Sequence, residues 1–543
     1  MRQKFFAALC ALCACLISGS LAQAKDGSMT LLTLNRLSGQ LLPIVTRVNK
    51  GTVAIGGLAH AAGVVQKVRE TAPNAILIVN GGSVYGPMWR YFGGLPEFTS
   101  LNLAGVQVGT IGMRELDFGW EHLKGALQYI RFPLVLSNVD VLDPEAAPFF
   151  KKNVIVQAGD LKVGFFSMLS PQILTATTQK VDELQLSKAG LVETAKAMVA
   201  DLRAQEADII VMLSNLTDLE NQHTLEQVSG IHAVYGRTLG LTEDPLPGFV
   251  RGPDDWLTTT LWSGTVARFV GRLDLTTRDG RITEDSVKWQ LLSVTPKVEP
   301  NAAILNLATQ YEEKLNKKLE TIMGSFNVPV DARKEVLRSG ESPIGNFLAD
   351  AMRTRFRTDV SLANAGNIRG NKIFREGKFS EKTLQELFPY QSRVDILTVS
   401  GDVLRKAMEI SASALAAHGD GYDTSFRTPT GGFLQVSGLR VVYDLKNPPT
   451  TFNEDGLVAQ WGNRLADLRV EKDGSWEPVE DSAYYTVAIS SWLSEGGDRY
   501  YLFKGLPSQD SGLLDYEVLV GYIKTFPDGA LKLALDQRIT VRK

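Results

Sequence analysis

Arg369 closes the run Asn364-Ala-Gly-Asn-Ile-Arg369, behind a Gly-containing turn at the end of an apolar stretch that reads as a strand. Sheets of α/β proteins gather their ligands at such strand ends. A guanidinium fork meets two phosphate oxygens at once, so an arginine there suits recognition of a phosphate ester. Arg338 lies seven residues before Gly345, with Arg333 and Lys334 further upstream. Equipment for covalent chemistry is thin. All three cysteines, Cys10, Cys13 and Cys15, sit in one N-terminal apolar run. The five histidines are His60, His122, His223, His232 and His418, and His60 and His122 fall on predicted helices.

The elements that must position these residues emerge from periodicity. Leu31–Leu34, Ala75–Val79, Val106–Ile111, Val154–Val156, Lys162–Phe166, Ile209–Leu213 and Ala233–Tyr235 read as buried strands. Between them, His60–Glu70, Trp120–Tyr129, Leu191–Ala204 and Asp218–Val228 carry helical spacing. This alternation predicts an α/β layered domain. Val266–Leu292 reads as a closing strand pair around Arg278-Asp279-Gly280, and Pro296 and Pro300 then punctuate the chain. Asn301–Met323 reads as one long polar helix between domains. A second α/β unit is expected over 324–543. Its helices are Pro343–Phe356, Gly401–Ala417 and Leu514–Thr525, with strands at Val360–Leu362, Leu434–Tyr443 and Tyr485–Ile489.

A chain of 543 residues is too long for one core, so two domains are expected. Its 44% hydrophobic and 22% charged residues are ordinary for a globular protein. Arg2 and Lys4, the apolar run Phe5–Ile17 and Ala22-Gln23-Ala24 make 1–24 a signal peptide, and so predict a periplasmic or secreted protein. Leu12-Cys13-Ala14-Cys15 offers a second reading, lipidation at Cys15, although the apolar run before it is short. Cleavage near Ala24 would leave no cysteine, and so no disulfide or thiolate site. It would also take the net charge from −3 to −5. That charge is no footprint for nucleic acid, and no later stretch is apolar enough to span a membrane.

Five motifs in the second unit resemble the C-terminal domain of the 5′-nucleotidase and UDP-sugar hydrolase family. They are Glu341-Ser-Pro-Ile-Gly-Asn-Phe-Leu-Ala-Asp-Ala-Met352, Asn364-Ala-Gly-Asn-Ile-Arg369, Leu387-Phe-Pro-Tyr390, Gly432-Phe-Leu-Gln-Val-Ser-Gly-Leu-Arg440 and Gly496-Gly-Asp-Arg-Tyr500. Each is weak alone. Their order and spacing together carry the resemblance. It implies that Arg338, Arg369 and a site near Lys334 hold the phosphates of a nucleotide, and that Asn364 lies in the same site. It implies that Tyr390 and Trp492 sandwich the base, a contact open to many bases. Asp498 stands at a ligand-bonding position. The family's Gly-Asn after the first aromatic is here Gln391-Ser392, so one polar contact to the base differs.

The first unit resembles that family's calcineurin-like metallophosphatase domain through Leu31–Leu41, Gly56–Leu58, Ile78–Ser83, Ile111–Gly119, Phe132–Asn138, Met212–Leu216 and Tyr235–Leu239. The resemblance implies a β-sandwich flanked by helices. It also implies a two-metal centre of Asp, His and Asn ligands. At those positions this chain has other residues. The Asp-x-His pair is Arg36 and Ser38, and the bridging Asp is Gly82, or Ser83 one residue on. Asn-His is Met113-Arg114, the next His is Asn215, and the closing His-x-His is Arg237 and Leu239. Two close cations need several anionic or imidazole ligands, so no metal and no cofactor are expected here, and no catalytic residue is assigned.

Two fates are open to Arg36, Arg114 and Arg237: an anion pocket, or pairing with acids such as Glu115 and Asp117. Ser38, Ser83 and Asp117 are the nearby groups for metal-free hydrolysis, and neither serine has a His partner in its motif. The sequence therefore predicts four segments: a signal peptide (1–24), a metallophosphatase-like domain (25–297), a connector helix (298–323) and a C-terminal substrate-binding domain (324–543). The leading expectation is a periplasmic pseudoenzyme that binds a nucleotide or related phosphate ester, with a periplasmic protein as a second kind of partner. An active hydrolase with an atypical site and a non-binding scaffold are the alternatives.

Overall fold

In a computed structural model of the chain, residues 25–48, 51–175, 181–236, 246–390, 392–415, 430–453 and 456–542 are described. The N-terminal segment 1–24, Arg237, Leu239, Gln391 and His418 fall outside them. The chain divides into two compact units, up to Glu313 and from Lys314 onward.

In the first unit, a seven-stranded sheet runs in the order Val287–Ser293, Phe269–Thr277, Gly27–Leu34, Ile76–Asn80, Val108–Thr110, Leu134–Val135 and Phe150–Lys151. A six-stranded sheet runs Gly248–Arg251, Leu257–Leu261, Ala233–Tyr235, Ile209–Asn215, Leu161–Leu169 and Asn153–Ala158. Side chains alternate across a strand, and this builds the layers. Leu31, Ile76 and Ile78 meet Val163, Phe165, Ile209 and Val211 between the sheets. Leu32, Leu34, Leu77 and Val79 point the other way, onto Leu58, Val65, Leu101 and Leu123 of the helices. On the far face, Phe166, Ile210 and Met212 pack against Val192, Ala195 and Leu202. The order is helix, sheet, sheet, helix, and every predicted strand and helix of this unit is present among the described residues.

The predicted helix Asn301–Met323 is shorter than expected. It spans Ala302–Leu319, and Ile322–Phe326 is a strand paired with Gly377–Ser380. Polar spacing marked the helix, but Ile322 and Met323 supply strand edges that the long run concealed.

The second unit holds a five-stranded sheet, Leu434–Ser437, Val360–Asn364, Tyr484–Ser490, Arg393–Ser400 and Ser508–Leu514, and a four-stranded sheet that includes Leu439–Asp444. The expected run Leu434–Tyr443 breaks between sheets at Gly438, whose φ is +77°. A Cβ there would stand 2.2 Å from the Asp359 carbonyl oxygen. The helix Pro343–Phe356 starts as its sequence dictates. Ser342 accepts the Gly345 amide at 3.1 Å and Pro343 fills the first turn.

Candidate functional site

Strand direction brings the second unit's predicted site together. Val360–Asn364 and Tyr484–Ser490 are parallel neighbours, so Asn364 and Trp492 emerge at the same sheet end. Arg393–Ser400 runs antiparallel to Tyr484–Ser490, with Val394 opposite Ser490. Its start, preceded by Tyr390, therefore lies at that end too.

The side chains then converge. The Arg369 guanidinium lies 5.1 Å over the Tyr390 ring, a cation–π distance. Arg338 sits half-buried in the turn between the short helix Lys334–Leu337 and the helix Pro343–Phe356. Burial holds its guanidinium below the usual range and nearby Arg369 adds to this, while Asp498, Glu335 and Tyr390 pull the other way. Two like charges held together favour an anion between them. Asp498 accepts a 2.7 Å hydrogen bond from the buried Asn364 side-chain amide. It adopts a left-handed backbone, φ +50°. The Trp492 ring lies against Gly497 of the next turn, where a Cβ would stand 2.3 Å from its Cε2. Tyr390 and Trp492 are 39% and 54% exposed, so neither is a core aromatic.

Lys334 is exposed and 3.9 Å from Glu335, while its neighbour Arg333 is bound to Asp331. One residue escaped the sequence reading. Gln435 is fully buried and donates to the carbonyls of Leu337 at 2.9 Å and Gly340 at 2.8 Å. It also accepts the Ser342 amide at 3.1 Å. These bonds fix the turn that carries Arg338. The signal was present as a lone amide inside the apolar run Phe433-Leu-Gln-Val436.

The first unit's loops meet around a carboxylate. Glu115, 1% exposed, accepts the amides of Gly82 and Gly112 on Oε2, both at 2.9 Å, and of Ser83 on Oε1 at 2.7 Å. Burial pushes its carboxyl upward and the three amides oppose that. Arg36, in a left-handed backbone with φ +41°, lies against Gly82. Burial and nearby Arg114 lower its guanidinium, and Glu115 opposes them. Arg114 pairs with Asp117 at 3.0 Å and lies 4.4 Å over the Tyr85 ring. Ser38 donates its hydroxyl to the Arg36 carbonyl at 3.3 Å. Asn215 donates its amide toward the carbonyls of Asn80 and Ile111 at 3.5 and 3.4 Å.

This donor set does not fit a dinuclear metal centre. Among the described residues, cations or neutral groups stand where the resemblance would put ligands, Glu115 is capped by backbone amides and Asp117 is paired with Arg114. Among the described residues, no group of three or more His, Cys, Asp or Glu is placed to hold a metal ion.

A family model described as "5'-nucleotidase, C-terminal domain" matches residues 322–505. A 5′-nucleotidase of Rattus norvegicus is 25% identical over 92% of this chain and 88% of that protein. A snake venom 5′-nucleotidase of Naja atra is 25% identical over 87% of this chain and 91% of its own length. The crystal structure of a 5′-nucleotidase precursor from Thermus thermophilus shares the fold. Its TM-score is 0.64 at 22% identity, covering 95% of this chain and 99% of that one.

Proposed function

We propose that this chain, which belongs to the 5′-nucleotidase family, is an exported binding protein that takes a nucleotide or related phosphate ester in its second unit and does not hydrolyse it by the two-metal route. The observation that carries the reading is the cluster of Arg338, Arg369, Tyr390 and Asp498 at one sheet end. Two guanidiniums supply bidentate phosphate contacts, and two exposed aromatic faces accept a base. Asn364 holds the Asp498 carboxylate, and Lys334 adds positive charge at the rim.

The first unit supports the metal-free half of the proposal. A divalent ion would meet Arg36 and Arg114, and Glu115 would have to surrender three amide bonds to reach it. Residues 1–24 act as a cleaved signal peptide in this reading. The domains then keep the sequence boundaries, 25–297 and 324–543, joined by a connector over 298–323. Among the described residues, no helix is long and apolar enough to cross a membrane.

A thermal-shift screen of the mature protein tests the proposal, using AMP, ATP, UDP-glucose, adenosine and inorganic phosphate, with and without manganese. A ligand at about 100 times its dissociation constant adds roughly 2.7 kcal/mol to stability. The expected result is a nucleotide shift that needs no manganese and disappears in an Arg369→Ala/Tyr390→Ala variant. A shift or turnover that requires manganese would favour an active hydrolase instead. Silence with every ligand would leave a scaffold.

A further inference from the structure

We infer that Arg393 and Asp395 are positioning residues that fix the gap between the two aromatic arms, a reading that rests on the proposed nucleotide site. Both belong to the strand Arg393–Ser400, whose start comes three residues after Tyr390. The opposing arm is the loop after Tyr484–Ser490, which carries Trp492, Gly496, Gly497 and Asp498. Gly496 and Gly497 give that loop little stiffness of its own.

The Tyr390 strand grips this loop twice. Ser494 donates its hydroxyl to the Asp395 carboxylate, and both residues are buried, at 8% and 6% exposure. The Arg393 guanidinium donates to Glu495 at 3.1 Å, with the arginine side chain 12% exposed and the glutamate 44%. Arg338 and Arg369 take part in neither bond. Each joins the segment behind Tyr390 to the turn between Trp492 and Asp498. The strand's far side is fixed as well, because the Asp515 amide donates to the Ser392 carbonyl at 2.8 Å. Asn364 also holds this loop through Asp498, but the two bonds from the Tyr390 strand tie the aromatic arms to each other without using Arg338 or Arg369.

That independence gives the test. AMP and ribose 5-phosphate share the phosphate and differ in the base. By titration calorimetry, Asp395→Ala and the milder Ser494→Ala should weaken AMP about tenfold, the scale of one hydrogen bond to a charged group. Ribose 5-phosphate should stay within about twofold, and Asp395→Asn, which keeps an acceptor for Ser494, should restore most of the AMP affinity. In the unliganded protein, amide exchange over 491–499 should quicken at least tenfold in Asp395→Ala while the helix Pro343–Phe356 is unchanged. Unaltered exchange in that loop, or equal losses for AMP and ribose 5-phosphate, would overturn the inference. Wild-type protein that binds neither compound would instead sink the nucleotide reading, and the exchange experiment would still decide whether these residues hold the loop.

Discussion

Replacing Glu115 probes whether the first unit's loops are held together without metal. Its two oxygens accept three amides, from Gly82 and Ser83 in one loop and from Gly112 in the next. In Glu115→Ala these donors lose their partner in a site that is 1% exposed. An orphaned buried donor costs about 1–3 kcal/mol. Water entering the vacated space would recover part of that, so a total of about 3–5 kcal/mol is expected, in line with loss of one partner from a buried charged network. Glu115→Gln keeps one carbonyl for Gly82 and Gly112 but turns an NH2 toward the Ser83 amide, so about 2 kcal/mol is expected. The assay is calorimetric melting of the mature protein in EDTA and in excess manganese. In a domain of roughly 150–250 residues each kcal/mol moves the midpoint by roughly 2–4 °C. The alanine variant should therefore lower the first unit's transition by about 6–20 °C, equally in both buffers. A loss below about 1 kcal/mol would refute the assignment of Glu115 as the clip between these loops. A wild-type midpoint that climbs with manganese would refute the claim that the site is complete without it.

Two further predictions concern the second unit. Asp515 is buried, and that burial pushes its carboxyl up to about 8 despite the amide of Tyr516 bonded to it. The folded value lies above the unfolded one, so the unfolded chain releases this proton first. Stability attached to Asp515 is then complete below about pH 4 and declines as pH rises toward about 8. Asp515→Asn should raise the neutral-pH melting point and flatten that slope, and an unchanged slope would contradict the assignment. Arg464, 1% exposed, donates to the carbonyls of Asn447, Ala412 and Leu415 at 3.1, 3.3 and 2.9 Å. Arg464→Ala leaves those carbonyls buried without their donor and should cost about 3–5 kcal/mol in urea denaturation. A loss under about 1 kcal/mol would show that water replaces the guanidinium.

Period-2 alternation exposed the sandwich, because Leu31 and Leu32 must serve opposite faces and the neighbouring strands repeat the pattern. Chain order could not show which strands are neighbours. It took the parallel pairing of Val360–Asn364 with Tyr484–Ser490 to bring Asn364 beside Asp498, 134 positions away. Arg369 and Tyr390 were legible as chemistry, since a guanidinium and an aromatic in loops ask for a ligand. Gln435, Arg393 and Asp395 were not, because each acts on backbone or on another side chain, and nothing local marks such a role. The helix end at Leu319 was missed for the opposite reason. Lys317 and Lys318 in its last turn were a weak stop signal, and no glycine followed until Gly324 to mark the end more strongly.

The arrangement around Glu115 also explains how this fold tolerates arginines at its loop ends. Metal ions in such a centre would neutralise carboxylates brought together by several strands. Here Arg36 and Arg114 bring two positive charges, and Glu115 and Asp117 bring two negative ones. Arg114 is held by Asp117 and by the face of Tyr85, which leaves its charge balanced. Arg36 is close to Arg114, and Glu115 offsets part of that repulsion. Among the described residues these four charges cancel, which supports internal pairing over an anion pocket as the reading for Arg36 and Arg114. On that argument Arg36→Gln should leave phosphate affinity of the whole protein unchanged, because the proposed phosphate site lies at Arg338 and Arg369. A marked loss of phosphate binding in Arg36→Gln would show instead that these loops still receive an oxyanion.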